Sequence, residues 1–288
     1  MTFFRADLHC HTTCSDGSLK PTEIIKLAIK NGLNALSITD HDCIDAYQSA
    51  MPLAQELGLK LISGVEFSSL LGDESVHILG YSFALQNPII QTFCLKHRQR
   101  RELRNAEILF LLDKNGMPIS EEELLATAGT ADQTSQRSVI GRPHIAKLMV
   151  QKGYVADVRE AFNKFIGEGR PCYSKGNFFT PQETIDVIQK AKGFAIIAHP
   201  HLINNSQTIS KLLHMHFDGI ECYYSRFTID AQMRWIKIAT QKNWLMTGGS
   251  DFHGDIKPMV SLGCSWVDEE RFNILQKRFL ENQALESQ

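Results

Sequence analysis

Five short clusters of histidine and carboxylate residues hold most of the chemistry that this sequence could perform. They are Asp7-Leu8-His9-Cys10-His11, Asp40-His41-Asp42, Gly64-Val65-Glu66, His199-Pro200-His201 and Asp251-Phe252-His253. Imidazole and carboxylate donors without an obvious thiolate favour Mn, Fe, Zn or Ni over soft metals. If the clusters meet, their carboxylates repel one another unless cations neutralise them. Two or three divalent ions would remove that conflict, lower the pKa of a bridging water and hold the oxygens of a phosphoryl group, so the residues predict metal-assisted hydrolysis of a phosphate ester.

Most of these clusters come directly after a predicted strand, which is what would bring them together. Strand-length apolar runs occur at 35–39, 60–65, 76–81, 194–198, 217–222 and 244–249. Amphipathic stretches alternate with them, such as 21–30, where Pro21 suits the first helical turn and Gly32 suits the stop. This alternation predicts an α/β fold around a mostly parallel sheet. Because the carboxyl ends of parallel strands form one rim, we expect the clusters to share one mouth.

The middle of the chain follows a different pattern. From about Pro88 to Gly169 helical periodicity continues without a convincing strand. We therefore predict a helical insertion at 98–168. Within it, the basic run at 96–101 with Arg104 could meet an RNA backbone, but neighbouring glutamates favour an ordinary solvated helix face.

Composition limits the classes of partner. The 288 residues carry a formal net charge of −2 with a pI near 6.6, so the chain lacks the overall basic excess typical of long-range nucleic-acid capture. Seven scattered cysteines without a C-x-x-C pair argue against a disulfide framework. No apolar run has the length of a membrane span, and the first residues lack a secretory pattern. We expect a soluble cytoplasmic protein with no membrane association and no obligate protein partner.

The motifs together resemble those of a known family. The relevant segments are Asp7-Leu8-His9-Cys10-His11-Thr12, Ser15-Asp16-Gly17, Thr39-Asp40-His41-Asp42, Gly64-Val65-Glu66, Ala198-His199-Pro200 and Gly248-Gly249-Ser250-Asp251-Phe252-His253. In order and spacing they resemble the polymerase and histidinol phosphatase (PHP) family. The resemblance implies a distorted (β/α)7 barrel, formed by 1–97 and 169–288, with the helical insertion covering the active site. It also implies a trinuclear metal centre, for which Mn is the expected metal.

The resemblance also implies a role for each matching residue. It places the ligands in three sets: His9, His11, Glu66 and Asp251; Glu66, His77 and His199; and Asp16, His41 and His253. A hydroxide shared among the metals would attack the phosphorus. Asp7 and Asp40 would accept hydrogen bonds from ligand imidazoles and orient them.

Within the family, the chain is most similar to nucleoside 3′,5′-bisphosphate phosphatases and 5′-to-3′ exoribonucleases. The insertion and the segment Gly141-Arg142-Pro143-His144-Ile145-Ala146 carry this likeness. The expected substrate is a small phosphorylated nucleotide or a short RNA. Candidate contacts to its phosphates are Arg142, His144, Lys175 and Arg226.

The catalytic candidates are Asp251, His199 and His201. His201 stands where many relatives continue from His-Pro to Gly-Arg, so it replaces a phosphate contact, protonates the leaving oxygen or is an ordinary surface histidine. Two alternatives for the function remain open. Histidinol-phosphate phosphatase shares the metal centre but needs a pocket for an imidazole and an amine, and the insertion argues against it. A non-catalytic metal-binding module would normally show gaps among the ligands, and none is seen here.

Overall fold

A seven-stranded sheet curved into a nearly closed barrel forms the framework of the protein. The computed structural model describes residues 3–127, 139–225 and 227–286. The strands are β1 (Ala6–Asp7), β2 (Ala35–Ile38), β3 (Lys60–Leu71), β4 (Glu74–Tyr81), β5 (Phe194–Ile197), β6 (Gly219–Tyr224) and β7 (Leu245–Gly249). They neighbour one another in chain order from β1 to β7. The prediction of a distorted seven-stranded α/β barrel is confirmed.

Strand β4 is the main departure from a parallel sheet. Four pairs are parallel, β1–β2, β2–β3, β5–β6 and β6–β7, whereas β4 runs antiparallel to both β3 and β5. A hairpin joins β3 to β4, and the two strands pair from Leu71↔Glu74 to Gly64↔Tyr81. Because of this reversal, the early residues of β4 lie at the same rim as the carboxyl ends of the other strands, which run parallel to one another.

The barrel closes through the segments that carry the first and last clusters. Leu8 N donates to Gly248 O at 3.2 Å, and His11 N donates to Phe252 O at 2.9 Å. Gly249 is required at this seam, since a Cβ there would lie 2.3 Å from His9 N and 2.7 Å from Asp7 Oδ1. A glycine therefore permits the close approach that brings the two clusters together.

Helices cover the outside of the barrel. They are α1 (Pro21–Lys30), α2 (Tyr47–Glu56), α7 (Pro181–Lys190), α8 (Ser206–Leu213), α9 (Ile229–Lys242) and α10 (Glu269–Glu286). α1 matches the predicted range: Pro21 occupies the first turn, the Glu23 carboxylate accepts from Lys20 N at 2.7 Å, and Ile24 and Ile25 are buried. In α7, Thr180 and Glu183 form a capping box. The buried faces of these helices pack on the sheet, which holds the strand ends in place.

Residues Leu95–Phe178 form a second compact unit, called here the helical unit. Its helices are α3 (Pro88–Lys114, which begins before the unit), α4 (Glu121–Thr127), α5 (Arg142–Gln151) and α6 (Val158–Ala161), the last continuing into a π-helical turn at Phe162–Ile166. Ile108, Leu112, Ile145 and Met149 lie in its apolar core. The sequence analysis set the insertion at 98–168.

The expectation of a solvated basic face on α3 is wrong. Arg100 and Arg101 are each 8 % exposed and Arg104 is 7 % exposed. Arg100 lies over the ring of Phe178 at 4.3 Å from its centroid. Charge patterning along a helix cannot reveal such burial, because it does not show which side chains other segments cover.

Among the described residues, no helix has both the length and the apolar composition that crossing a bilayer requires.

Candidate metal centre

The predicted ligands converge at one end of the barrel. His9 and His11 follow β1, His41 follows β2, His199 follows β5, and Asp251 and His253 follow β7. Among the predicted ligands, every histidine has a ring nitrogen within 3.7 Å of a carboxylate oxygen of the group, and every carboxylate has an oxygen within 3.7 Å of such a nitrogen. Residues separated by more than two hundred positions thus meet because consecutive strands end at one rim.

Glu66 is the centre of the group. It lies in β3 and is 1 % exposed, and five ring nitrogens lie within 3.4 Å of its two oxygens. Oε2 faces His9 Nε2 at 3.2 Å, His11 Nε2 at 3.1 Å and His41 Nδ1 at 3.4 Å, and Oε1 faces His77 Nδ1 at 2.7 Å and His199 Nε2 at 2.8 Å. Burial favours the neutral acid, but the surrounding imidazoles hold the pKa of Glu66 well below its usual range. One carboxylate therefore links side chains from four other segments.

His77 reaches Glu66 from the middle of a strand, unlike the other histidines. It pairs with Ser68 in the β3–β4 hairpin. The antiparallel direction of β4 accounts for this, since its early residues lie at the functional rim. The reversal thus gives a mid-strand histidine the same reach as a residue that follows a parallel strand.

Donor atoms fall into three overlapping groups within 4.8 Å. These are His9, His11, Glu66 and Asp251; His11, Asp16, His41 and His253; and His41, Glu66 and His77. The first group has the membership inferred from the resemblance. The second adds His11 to the expected set of Asp16, His41 and His253. The third contains His41 where His199 was expected, and His199 itself contacts Glu66 Oε1.

Hydrogen bonding in the group suits metal ligands. His253 Nδ1 donates to Asp251 O at 2.9 Å, which leaves Nε2 facing Asp16 Oδ1 at 3.4 Å. Neither ring nitrogen of buried His11 makes a hydrogen bond to the described residues. Buried nitrogens held so near to carboxylates, without satisfied hydrogen bonds, are the arrangement that a divalent cation completes. The donor set therefore fits Mn, Fe, Zn or Ni.

The two central imidazoles differ in their proton affinity. Burial lowers the pKa of His11, but the Asp251 and Glu66 carboxylates outweigh it and raise that pKa to about 9. Burial dominates at His41 and lowers its pKa to about 3. Without metal, His11 carries a proton near neutral pH and His41 is neutral.

Three residues at the same rim have a strained backbone. His199 has φ 23°, and both Asp42 and Asp251 have φ 55°, in the left-handed region that residues other than glycine rarely occupy. Asp251 N donates to His9 O at 2.7 Å, which helps to hold this conformation. Such strain persists only where surrounding contacts impose it, as they do at functional sites.

Asp251 has one oxygen available to the group. Tyr224 OH donates to Oδ2 at 2.6 Å, and Lys257 Nζ contacts the same atom at 2.5 Å. Oδ1 faces His9 Nε2 at 3.4 Å and His11 Nε2 at 3.3 Å. The sequence analysis did not single out Tyr224 or Lys257, since their contacts with Asp251 depend on how the end of β6 and the loop after β7 fold.

Asp7 and Asp40 bind backbone and hydroxyl groups rather than imidazole rings. Asp7 accepts from Ser250 N at 2.9 Å and Gly263 N at 2.8 Å, and burial raises its pKa to about 6. Asp40 accepts from Thr12 N at 2.7 Å and Thr12 Oγ1 at 2.6 Å. Each carboxylate therefore holds the loop that carries the ligands, and the expected orienting contact to a ring is made by a different residue.

That residue is Glu221, which the sequence analysis missed. It lies in β6, is fully buried, and its Oε1 is 2.8 Å from His9 Nδ1. A glutamate between the apolar residues Ile220 and Cys222 of a predicted strand is the signal that could have identified it, since an unpaired buried carboxylate is costly.

His201 lies in an aromatic cluster beside the predicted ligands. Its ring centroid is 4.6 Å from that of Tyr224 and 4.4 Å from that of Phe227. The Tyr224 ring is in turn 6.1 Å from the ring of His199. His201 is thus near the metal-ligand group, while its role in proton transfer stays a prediction.

Three of the four predicted phosphate contacts lie in the helical unit. Arg142 begins α5, half-buried, with its guanidinium 5.5 Å from the Tyr173 ring centroid. The Nδ1 atom of buried His144 accepts from Gly141 N at 3.1 Å and caps the helix. Lys175 is exposed. Arg226 lies outside the described residues.

Arg142, at the start of α5, lies among groups of both charges. Burial lowers its pKa and the nearby Arg101 lowers it further, whereas Tyr173 and Glu168 raise it. A Cβ on Gly141 would lie 3.3 Å from Arg101 Nη1. This end of α5 is the positive end of the helix dipole.

Comparison with known proteins agrees with this geometry. The PHP domain model matches residues 7–256. The chain belongs to the PHP domain family. The match covers all the predicted ligands, including His77, which no short motif contains.

Its relatives include two nucleotide-processing enzymes. The 5′-3′ exoribonuclease of Haemophilus influenzae is 32% identical over 267 residues, covering 91% of this chain and 92% of that protein. The 3′,5′-nucleoside bisphosphate phosphatase of Chromobacterium violaceum is 29% identical over 252 residues, covering 86% of each. A solved protein of Bifidobacterium adolescentis, assigned as a metal-dependent phosphoesterase, superposes with a TM-score of 0.84 at 28% identity, covering 95% of this chain and 96% of that one.

Proposed function

We propose that this metal-dependent phosphoesterase hydrolyses a phosphate ester of a nucleotide, either a nucleoside 3′,5′-bisphosphate or the 5′ end of a short RNA. The observation that carries the proposal is the sharing of the Glu66 carboxylate by five imidazoles. Such a buried donor set has a use only with several cations. The two nucleotide-processing relatives support the substrate class.

We infer that two or three divalent ions bind here, with Mn as the expected metal. The residues that would hold them are His9, His11, Asp16, His41, Glu66, His77, His199, Asp251 and His253. When bound, such ions activate a water molecule and neutralise phosphoryl oxygens. Tyr224 and Lys257 occupy Oδ2 of Asp251 and leave Oδ1 for coordination.

Arg142, Lys175 and Arg226 are the side chains that we propose bind the substrate's phosphates, with His144 at the same helix end as Arg142. The position of Arg142 at the positive end of the α5 dipole supports this role. A guanidinium offers paired donors that match two phosphate oxygens.

For the leaving group we propose His201 as the proton donor. It lies two residues after His199, and its ring packs against Tyr224, whose hydroxyl bonds to Asp251. A proton delivered to the leaving oxygen would lower the barrier at bond cleavage. A His201→Asn variant should lose more activity with an alkoxide leaving group than with p-nitrophenolate, which needs no proton.

Hydrolysis of three substrates tests the proposal. Adenosine 3′,5′-bisphosphate and histidinol phosphate are assayed by release of inorganic phosphate, and 5′-phosphorylated RNA trimers by release of 5′-mononucleotide, each after chelation and again after adding Mn²⁺. We expect activity on adenosine 3′,5′-bisphosphate, the RNA trimers or both, and its restoration by Mn²⁺. Exclusive hydrolysis of histidinol phosphate would contradict the substrate class, and metal-bound protein inactive on every substrate would favour a binding module.

One pair of variants makes the assay specific. His9→Ala should abolish release, whereas His214→Ala, an exposed histidine at the end of α8, should retain it. Undiminished activity in His9→Ala would contradict the metal-centre assignment.

We also propose a cytoplasmic location, supported by seven cysteines that are all free.

A further inference from the structure

Glu221 is a fully buried carboxylate that belongs to none of the three groups of possible metal ligands. It lies in β6 between Ile220 and Cys222, which are both completely buried in the apolar core. Placing an ionisable group there costs free energy unless its oxygens find strong partners. The partners of Glu221 therefore indicate why the strand carries it.

Both oxygens of Glu221 contact predicted metal ligands. Oε1 lies 2.8 Å from His9 Nδ1, and Oε2 accepts from the backbone N–H of His199 at 2.7 Å. A cation bound at His9 Nε2 would use the lone pair of that atom, so the ring would then carry its proton on Nδ1 and donate it to Glu221 Oε1. Nε2 lies 3.2 Å from Glu66 Oε2, at the place where a cation would bind.

The second contact restrains a strained backbone. His199 has φ 23° and ψ 62°, and this conformation directs its Nε2 to 2.8 Å from Glu66 Oε1. A histidine adopts such angles only when surrounding contacts enforce them. The bond from His199 N to Glu221 is a buried, charge-assisted contact of that kind.

We propose that Glu221 is a positioning residue that sets the ring tautomer of His9 and the backbone conformation of His199 at the same time. One carboxylate in β6 would then tie together ligands that follow β1 and β5 and would hold both ready for cations. The proposal rests on the metal-dependent function above, but it concerns metal affinity rather than the choice of substrate.

Metal binding by purified variants tests this role. Affinity for Mn²⁺ and Zn²⁺ is measured by competition with a chelator, with folding checked by circular dichroism. Loss of an outer carboxylate that orients a ligand typically weakens binding about 10- to 100-fold. We expect about 100-fold for Glu221→Ala and about tenfold for Glu221→Gln, whose amide keeps only one acceptor oxygen.

Asp218→Asn is the matched control. Asp218 precedes the same strand and also accepts from a backbone amide, Ala195 N at 2.8 Å, but it contacts no predicted ligand. We expect its metal affinity to equal that of the wild type. Affinity within twofold of wild type in folded Glu221→Gln and Glu221→Ala would overturn the proposal.

A measurement on the unmodified protein covers the case in which the variants fail to fold. In Zn²⁺-loaded wild type labelled with ¹⁵N-histidine, the His9 signals, assigned by comparison with His9→Ala, should show the proton on Nδ1. A proton on Nε2 would overturn the proposal. Neither readout depends on the substrate, so inactivity on nucleotides would contradict only the proposed function.

Discussion

The barrel rim and the helical unit both bury charged groups, but of opposite sign. At the rim, Glu66 and Asp251 are 1 % and 3 % exposed and lie among imidazoles. In the helical unit, Arg100 and Arg101 are each 8 % exposed. The buried carboxylates among imidazoles suit the rim to cations, whereas the helical unit buries cationic side chains of its own.

The two regions also hold their charges differently. Strand ends and backbone hydrogen bonds restrain the rim ligands, as in the bond from Asp251 N to His9 O at 2.7 Å. Guanidinium groups of the helical unit instead lie over aromatic rings, Arg100 over Phe178 and Arg142 near Tyr173. Changes at the rim should therefore impair metal binding and turnover, whereas changes at Arg142 should impair substrate affinity.

The largest effect is expected for Glu66→Gln. The amide would place an N–H₂ group against imidazole nitrogens and remove the shared charge, so kcat should fall at least about a thousandfold with loss of bound metal. Glu74→Gln is the control, because Glu74 lies at the turn of the same hairpin, belongs to none of the groups of possible metal ligands, and accepts from Asn204 N at 3.1 Å. Steady-state kinetics and elemental analysis measure the activity and the bound metal of both variants. A Glu66→Gln variant that keeps its metal and its activity would contradict the assignment of metal binding to the rim.

Gly249→Ala should disturb the rim without altering any ligand. Its Cβ would lie 2.3 Å from His9 N, so the seam between the first and last clusters must open. We expect a loss of about 1–3 kcal/mol in the free energy of unfolding, with weaker metal binding.

The control for this substitution is Gly72→Ala. Gly72 has φ 67° with no neighbour within 4 Å of a Cβ, so the variant bears only conformational strain and should bind metal normally. Denaturant unfolding and chelator competition compare the two. Equal metal affinities would show that the seam does not position His9.

Arg142→Ala should act on substrate affinity. Losing a charge-assisted contact to phosphate costs about 1.5–3 kcal/mol, so KM should rise about 10- to 100-fold with a much smaller change in kcat. Arg159→Ala, an exposed arginine of α6 in the same unit, is the control. If Arg142→Ala lowers kcat and leaves KM unchanged, the proposed division of labour is wrong.

The smallest effect is a pH dependence confined to the rim. The metal-free pKa of His11, about 9, lies above its ordinary 6.5, so protonated His11 stabilises the metal-free fold fully below about 6.5. This contribution is lost as the pH rises through about 9. Metal must displace that proton, so apparent affinity should rise by up to about tenfold per pH unit until about 9.

Calorimetry in buffers of different ionisation enthalpy measures the released proton directly. His41, with a metal-free pKa of about 3, should release none. Metal binding at pH 7 without proton release would contradict the protonation of His11. His11→Gln should bind more weakly and with a shallower pH dependence.

Much of the fold could be predicted because the informative patterns are local. Apolar runs ended where the ligand clusters began, and α1 spans the predicted Pro21–Lys30. The direction of β4 was not predictable in the same way, since period-two patterning is the same for parallel and antiparallel strands. For His77, only the family resemblance indicated a functional place.

Residue order and chemical type were enough to predict an α/β fold around a mostly parallel sheet and a metal-assisted hydrolysis, whereas the seven-stranded barrel and the full ligand set came from the family resemblance. Partners that depend on long-range packing emerged only on folding: Glu221 beneath His9 and His199, and the burial of Arg100, Arg101 and Arg104. Likewise, Asp7 and Asp40 support loops instead of rings. The reason is that a residue's type specifies what it can donate or accept, whereas the identity of its partner depends on which distant segments the closed barrel brings within 3 Å.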